Sequence, residues 1–164
     1  MNFAVKTQTP VASTLLGLGA FPASHDLSLG MMGMHGEVHT NLAIQNSDLI
    51  LAFGMRFDDR VTGTLKTYAP RAKKIHIEID PSEVHKNVAV DVPLVGDLKT
   101  VLTDLVPLVD EYDHDEWLKE IRDWKAEADS RSIMNWPNDD KLYVPHLIAD
   151  IWKATGGNAI MTTD

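Results

Sequence analysis

Hydrophobic and polar positions along the chain fall into two alternating regimes. The first is short and strand-like. "PVAST" (residues 10–14) and "DLILAFG" (residues 48–54) are apolar or β-branched runs that stop at small or polar residues. "KKIHIEID" (residues 73–80) sets Ile75, Ile77 and Ile79 on one side and His76 and Glu78 on the other. "VPLVGD" (residues 92–97) is a fourth run of this kind. Bounded by Gly, Asp and Pro, such runs predict strands of a parallel sheet with both faces covered.

The second regime has helical spacing. "EVHTNLAIQNS" predicts a helix with Val38, Leu42 and Ala43 on one face, ended by "NSD". "DLKTVLTDLV" repeats Leu98, Val101, Leu102 and Leu105, with Asp97 placed as N-cap and Pro107 ending or kinking the helix. "DEWLKEIRDWKAEAD" aligns Trp117, Ile121, Trp124 and Ala128 in one apolar stripe opposite an acidic face. The alternation predicts a doubly wound, Rossmann-like α/β fold with a parallel sheet, small in strand number. The tail differs. "NWPNDDKLY" (residues 135–143) has linker composition, "VPHLIADIWKATGG" is a helix signal with an early Pro145 and a Gly156–Gly157 stop, and "NAIMTTD" reads as one more strand. The expected organisation is an α/β domain over residues 1–134, a linker over 135–143, and a helix plus strand over 144–164. A strand followed by nothing is what a fragment would show. There is no internal repeat and no low-complexity stretch.

Composition narrows the function classes. With 164 residues, 44% of them hydrophobic and 24% charged, the chain suits one soluble domain with an attached piece. Cysteine is absent, which excludes disulfides, thiolate metal sites and thiol nucleophiles. No apolar run reaches membrane-spanning length and the N-terminus has no signal-peptide core, so a cytoplasmic protein is expected. The net charge of −9 sits almost wholly between Asp104 and Asp140, where 12 acidic and 4 basic residues occur. That segment reads as a solvated helix surface, and the basic face of a nucleic-acid binder is missing.

Ligands of open parallel sheets sit beyond the C-terminal strand ends. That rule selects "STLLGLG", "GMRFDDR", "EID" and "GD", one after each of the four predicted strands. Their glycines permit close backbone approach, and amides at the following helix starts can hold a phosphate. Glu78 stands where a carboxylate accepts ribose hydroxyls. Arg56 can neutralise a pyrophosphate or lie against an aromatic ring. Together they describe a dinucleotide cleft, though a full GxGxxG is lacking. "GMMGMHGEVHTN" (residues 30–41) has too many glycines for a helix, and His35 and His39 lack the third ligand and HExxH spacing of a zinc site. They read as surface or packing histidines, and His76 as a strand residue paired with a neighbour. Asp58 and Asp59 can hold a cation, pair with Arg56 and Arg60, or hydrogen-bond a ligand. Met31, Met32 and Met34 would ordinarily fill a core, but three in a Gly-rich loop is unusual for that role.

"STLLGLGAFPASHDLSLGMMGMHG", "NSDLILAFGMRFDDRVTG" and "KIHIEIDPSEVHKN…DVPLVGD" closely resemble the catalytic subunit of the acetohydroxyacid synthase (acetolactate synthase) family, thiamine diphosphate enzymes of branched-chain amino-acid biosynthesis. The similarity is dense over about residues 6 to 105 and looser to Asp164. It implies a central domain that binds FAD, a flavin without net redox role in the synthase reaction. The implied FAD contacts are Thr14, Leu15, Met32, Gly33, Met34, His35, Gly54, Met55, Arg56, Phe57, Asp58, Glu78, Ile79, Gly96 and Asp97. Glu78 departs from the family's usual aspartate by one methylene. Met34 and Arg60 fall where the family lines its substrate channel. "MMGMHG" then resembles a flavin-covering loop, neither helix nor metal site.

The resemblance also implies parts outside these 164 residues. They are a strand, Gly-rich turn and helix before Phe3, a cofactor-activating glutamate, and a pyrophosphate domain with its Mg²⁺ motif. Residues 144–164 would be the first helix and strand of that domain. The parent would be a transferase that decarboxylates pyruvate and joins the two-carbon unit to a second 2-oxo acid. It would be a homo-oligomer, with a regulatory small subunit as a further partner. The piece alone is expected to be inactive, with no catalytic residue or metal ligand of its own. Two alternatives remain. One is another thiamine diphosphate decarboxylase or carboligase, such as an oxalyl-CoA decarboxylase or glyoxylate carboligase. The other is a non-catalytic α/β interaction domain.

Overall fold

The β-branched and apolar runs form parallel ladders, as their pattern requires. The computed structural model describes residues 1–135 and 141–162, in two units, Met1–Lys125 and Ala126–Asp164. In the first unit the order is α1 (Asn2–Thr7), β1 (Val11–Ser13), β2 (Ser28–Met31), α2 (Val38–Asn46), β3 (Leu49–Phe53) and the single turn α3 (Asp59–Thr62). Then come β4 (Lys73–Glu78), β5 (Val92–Val95) and α4 (Leu98–Leu105). Helix α5 (Asp115–Ser130) runs from the first unit into the second, which holds α6 (Val144–Ala154).

The fold is α/β, and every described strand pair is parallel. The strands divide into two ladders, β1–β2 and β3–β4–β5. In the larger, Leu49 to Phe53 run beside Lys73 to Ile77, and Ile75 to Glu78 beside Val92 to Val95. Strand β4 is central and covered on both faces: Lys74, His76, Ile77 and Glu78 are all buried. One apolar cluster joins both ladders. Met32, Ala52, Met55, Phe57, Tyr68, Ala69, Ala72 and Val90 form it, with Ala12, Ile44 and Ile50 packed against it. Trp117, Ile121 and Trp124 of α5 pack with Leu29 and Ala43, so the predicted stripe has its partner in β2 and α2.

Two elements of the first unit differ from the sequence expectation. Gly30 and Met31 belong to a strand, β2, so the glycine-rich loop proper starts at Met32. Helix α2 buries His39, Thr40 and Ala43, leaving Val38 exposed and Leu42 partly so. Polar bonding turns the helix this way. The Thr40 hydroxyl donates to the Leu29 carbonyl, and Asn41 brackets Gly33, accepting from its N–H at 2.8 Å and donating to its C=O at 2.9 Å. In the second unit, α6 begins with Pro145 in its first turn and stops before Gly156 and Gly157, as its sequence predicts. Asn158 to Thr162 carry no regular structure. A lone strand has no ladder to hold it, and the second unit contains no described strand. Residues 136–140 of the expected linker and 163–164 of the expected strand lie outside the described residues.

Candidate functional site at the strand ends

Each strand of the larger ladder delivers one predicted site segment to the same edge. Beyond β3, the Gly54 N–H donates to the Ile77 carbonyl at 2.8 Å; beyond β5, the Gly96 N–H donates to the Glu78 carbonyl at 2.9 Å. Gly54, Glu78 and Gly96 are therefore neighbours on three adjacent strands. The β1–β2 ends join them through the loops. The Met32 N–H donates to the Ser13 carbonyl at 2.9 Å, and the Met34 N–H donates to the Arg60 carbonyl at 2.7 Å. Segments predicted from four separate stretches of sequence thus meet at one edge.

The turn after β3 is the most constrained part. Phe57 adopts φ +50°, a left-handed conformation that costs a non-glycine residue about 1–2 kcal/mol. Its ring is only 2% exposed, and burying a phenylalanine returns about 1.5–3 kcal/mol. The ring stands edge-on to His76 at 5.1 Å and to Tyr68 at 6.1 Å. Burial pushes the Tyr68 hydroxyl pKa up to about 12. The packing of Phe57 throws Arg56 outward, its side chain 65% exposed and 3.8 Å from the Asp58 carboxylate. Asp58 also caps α3, accepting from the Val61 N–H at 3.1 Å. Both carboxylate oxygens therefore have local work, one with Val61 and one with Arg56.

His76 is fully buried beneath this turn, with its Nε2 2.8 Å from the Met55 carbonyl. A carbonyl only accepts, so Nε2 carries the proton; Nδ1 is buried with no partner among the described residues. Two residues along β4, and so on the same face, Glu78 places one carboxylate oxygen 4.0 Å from that Nε2. Its other oxygen accepts the N–H groups of Ile79 at 2.8 Å and Asp80 at 3.2 Å. The Ser82 backbone amide donates to Asp80 and, with the Ser82 side chain and the Lys86 charge, holds its carboxyl below the usual carboxylate range.

The family model for the central domain of thiamine pyrophosphate enzymes matches residues 1–105. The chain belongs to that family. The chain is 40% identical over 159 residues to the acetolactate synthase isozyme 3 large subunit of Escherichia coli, covering 94% of this chain and 28% of that protein. It is 42% identical over 169 residues to the chloroplastic acetolactate synthase 1 of Nicotiana tabacum, covering 99% and 25% respectively. With the acetolactate synthase of Mycobacterium bovis the figures are 52% over 120 residues, 73% and 19%. The chain spans less than a third of the length of each of these relatives.

Within the central domain the predicted residues sort by what they can offer. Met32, Met55 and Phe57 have core side chains, so only their backbone groups are left to offer a ligand. Thr14 caps a short turn, accepting from the Gly17 N–H at 3.1 Å, and Asp97 caps α4, accepting from the Thr100 N–H at 3.0 Å. His35 and Arg60 are exposed, and His39 is buried. Among the described residues no group of three metal-ligating side chains gathers. Leu15, Met34 and Ile79 expose apolar side chains at strand ends, and Leu16 beside Leu15 does so too. These apolar surfaces, the exposed Arg56 and Arg60 and the largely buried Glu78 carboxylate are groups that could meet a flat ring system carrying a pyrophosphate and a sugar. Two concavities, of about 490 and 780 Å³, lie against α1 and around α4 and are lined by none of these residues. Sequence reasoning missed two anchors: Asn41, which brackets Gly33, and Asn87, whose side-chain amide donates to the Phe57 carbonyl at 3.1 Å. Neither residue type stands out in sequence, because its partner is a backbone group.

Proposed function

We propose that the chain is the FAD-binding central domain of an acetolactate synthase large subunit. The observation that carries this reading is the convergence of Gly54, Arg56, Glu78, Gly96 and the Met32–Met34 loop at one sheet edge. In this reading Arg56 meets the pyrophosphate and the carboxylate oxygen of Glu78 not tied to Ile79 accepts ribose hydroxyls. Leu15, Met34 and Ile79 cover the ring, while the glycines admit it to the backbone. Residues 1–134 form the flavin domain, and Val144 onward opens the thiamine diphosphate domain of a longer, cytoplasmic, homo-oligomeric enzyme. The remainder of that enzyme would hold thiamine diphosphate and Mg²⁺. Thiamine diphosphate supplies the carbanion chemistry that joins decarboxylated pyruvate to a second 2-oxo acid. Met34 and Arg60 would line the channel to it, and a regulatory small subunit would bind elsewhere.

On this chain Leu15, Met34, Ile79 and the Arg56 side chain are each more than half exposed, so affinity for FAD is expected to be weaker than micromolar, or less than ~8 kcal/mol. Titration of the purified chain with FAD should give saturable binding that ADP competes. Arg56→Ala should weaken it by roughly one to two decades, the loss of one charge-assisted contact. Absence of binding at millimolar FAD, or unchanged affinity in a folded Arg56→Ala variant, would reject the assignment. Replacing the matching segment of the Escherichia coli isozyme 3 large subunit with this chain tests the whole-enzyme reading. The chimera should retain flavin and form acetolactate from pyruvate; a folded chimera that loads thiamine diphosphate but no flavin would reject it.

A further inference from the structure

Arg56 sits between two tethered carbonyls. On its N-terminal side the Met55 carbonyl accepts from His76 Nε2 at 2.8 Å, and on its C-terminal side the Phe57 carbonyl accepts from Asn87 Nδ2 at 3.1 Å. The two donors come from different elements, β4 and the segment that follows it. Each is also held by contacts outside the turn. His76 is in the middle of a strand paired on both sides. Asn87 belongs to a segment fixed by Asp80 accepting from the Ser82 N–H at 2.9 Å, by His85 Nδ1 accepting from the Val90 N–H at 3.3 Å, and by Val84, Val88 and Val90 in the main cluster.

From this geometry we infer that His76 and Asn87 are positioning residues, a two-point clamp that fixes the backbone on both sides of Arg56 and thereby aims its guanidinium at the anionic part of the ligand. The inference rests on the dinucleotide reading above and adds two residues to it. Phe57 in the left-handed region is a conformation that an untethered turn would leave readily. Among the described residues, the exposed Arg56 side chain has only the 3.8 Å contact with Asp58 to orient it. Its aim therefore depends on the backbone, and the backbone depends on the two carbonyl bonds. His76 suits this role because its Nε2–H is the only polar group of its ring that is used, and the ring is packed against Phe57, the residue whose conformation it stabilises.

The test is a double-mutant cycle on the full 164-residue chain, with FAD affinity and backbone ¹⁵N relaxation as separate readouts. Asn87→Ala should lower the heteronuclear NOE of Arg56 and Phe57 while leaving β3 and β4 unchanged. It should weaken FAD about tenfold, the effect of one net hydrogen bond. In an Arg56→Ala background the same substitution should cost no further affinity, because its effect passes through Arg56. His76→Gln, which keeps a donor where Nε2 stood, should bind more tightly than His76→Leu. Unchanged relaxation in Asn87→Ala, or a loss that adds in full to that of Arg56→Ala, would overturn the clamp. A chain that binds no FAD at millimolar concentration would reject the dinucleotide reading alone, and the relaxation data would still decide whether the turn is clamped.

Discussion

Gly33→Ala should be among the most damaging single-methyl additions to the first unit. Two separate costs fall on that position. Gly33 has φ +95°, and a Cβ there would lie 2.5 Å from the Arg60 carbonyl oxygen and 3.1 Å from the Val61 Cα. Each cost has its own control. Gly54 has φ +61° with nothing within 4 Å of its Cβ, so Gly54→Ala carries the conformational cost alone. That cost is about 1–2 kcal/mol, less about 0.4–1 kcal/mol from the stiffer unfolded chain. Gly36 has an unstrained φ, but its Cβ would overlap the Met31 carbonyl oxygen and the Met32 backbone, so Gly36→Ala carries the steric cost alone. Forcing such a shift costs about 1–3 kcal/mol. Gly33→Ala combines the two, roughly 2–4 kcal/mol, and its relief would push Arg60 away from the Met34 N–H that bonds it. At about 2–4 °C per kcal/mol for a chain of this size, the melting temperature should fall by roughly 5–15 °C. Urea and thermal unfolding of the three variants, followed by far-ultraviolet circular dichroism, measure this directly. A Gly33→Ala variant no less stable than Gly54→Ala would refute the close approach of the two loops.

Three further outcomes follow from particular contacts. Asp97→Ala removes the cap on the Thr100 N–H and should cost ~1 kcal/mol; Asp97→Ser should restore most of it in the same urea titration. Tyr68 should ionise above the usual tyrosine range in an ultraviolet pH titration. Its pKa is raised from 10.0 to about 12 in the folded chain, so its contribution is intact below pH 10 and lost as pH rises to 12. The loss is on the order of 3 kcal/mol; Tyr68→Phe should abolish that alkaline slope, and its persistence would reject the assignment. Helix α6 exposes Val144, Leu147, Ile148 and Trp152, so the chain should self-associate. Light scattering across a dilution series should show mass rising with concentration, and Ile148→Glu should hold the chain monomeric.

Strand positions were legible where the hydrophobic pattern and the bounding residues agreed, as in residues 48–54 and 73–80. Strand β2 was hidden because "SLGM" has one buried apolar residue and a glycine, and only its pairing with Val11 to Ser13 makes it a strand. The α2 face was misread for a related reason. Apolar periodicity pointed to Val38 and Leu42, while Thr40 and Asn41 orient the helix through backbone groups of β2 and the following loop. Periodicity records transfer free energies of side chains, and carries no record of which carbonyl a hydroxyl will find. The expected strand at residues 158–164 failed in its described part for want of a neighbour, which is a property of the sheet and not of the segment.

The candidate site follows the same division. Glycines and charges at strand ends could be located in sequence, because the topology of a parallel sheet dictates where a ligand can sit. What the sequence left open was which of those residues face outward. "GMRFD" gives no sign that Met55 and Phe57 turn into the core while Arg56 turns out, since a five-residue turn has no period. The structure supplies that sign through a single constraint. Phe57 can occupy the left-handed region only because His76, Tyr68 and Asn87 hold its ring and its carbonyl. The neighbouring cation is exposed as a consequence. Arg56 therefore owes its place at the sheet edge to three residues that lie 12, 20 and 31 positions further along the chain. None of the three need touch a ligand for its substitution to be felt there.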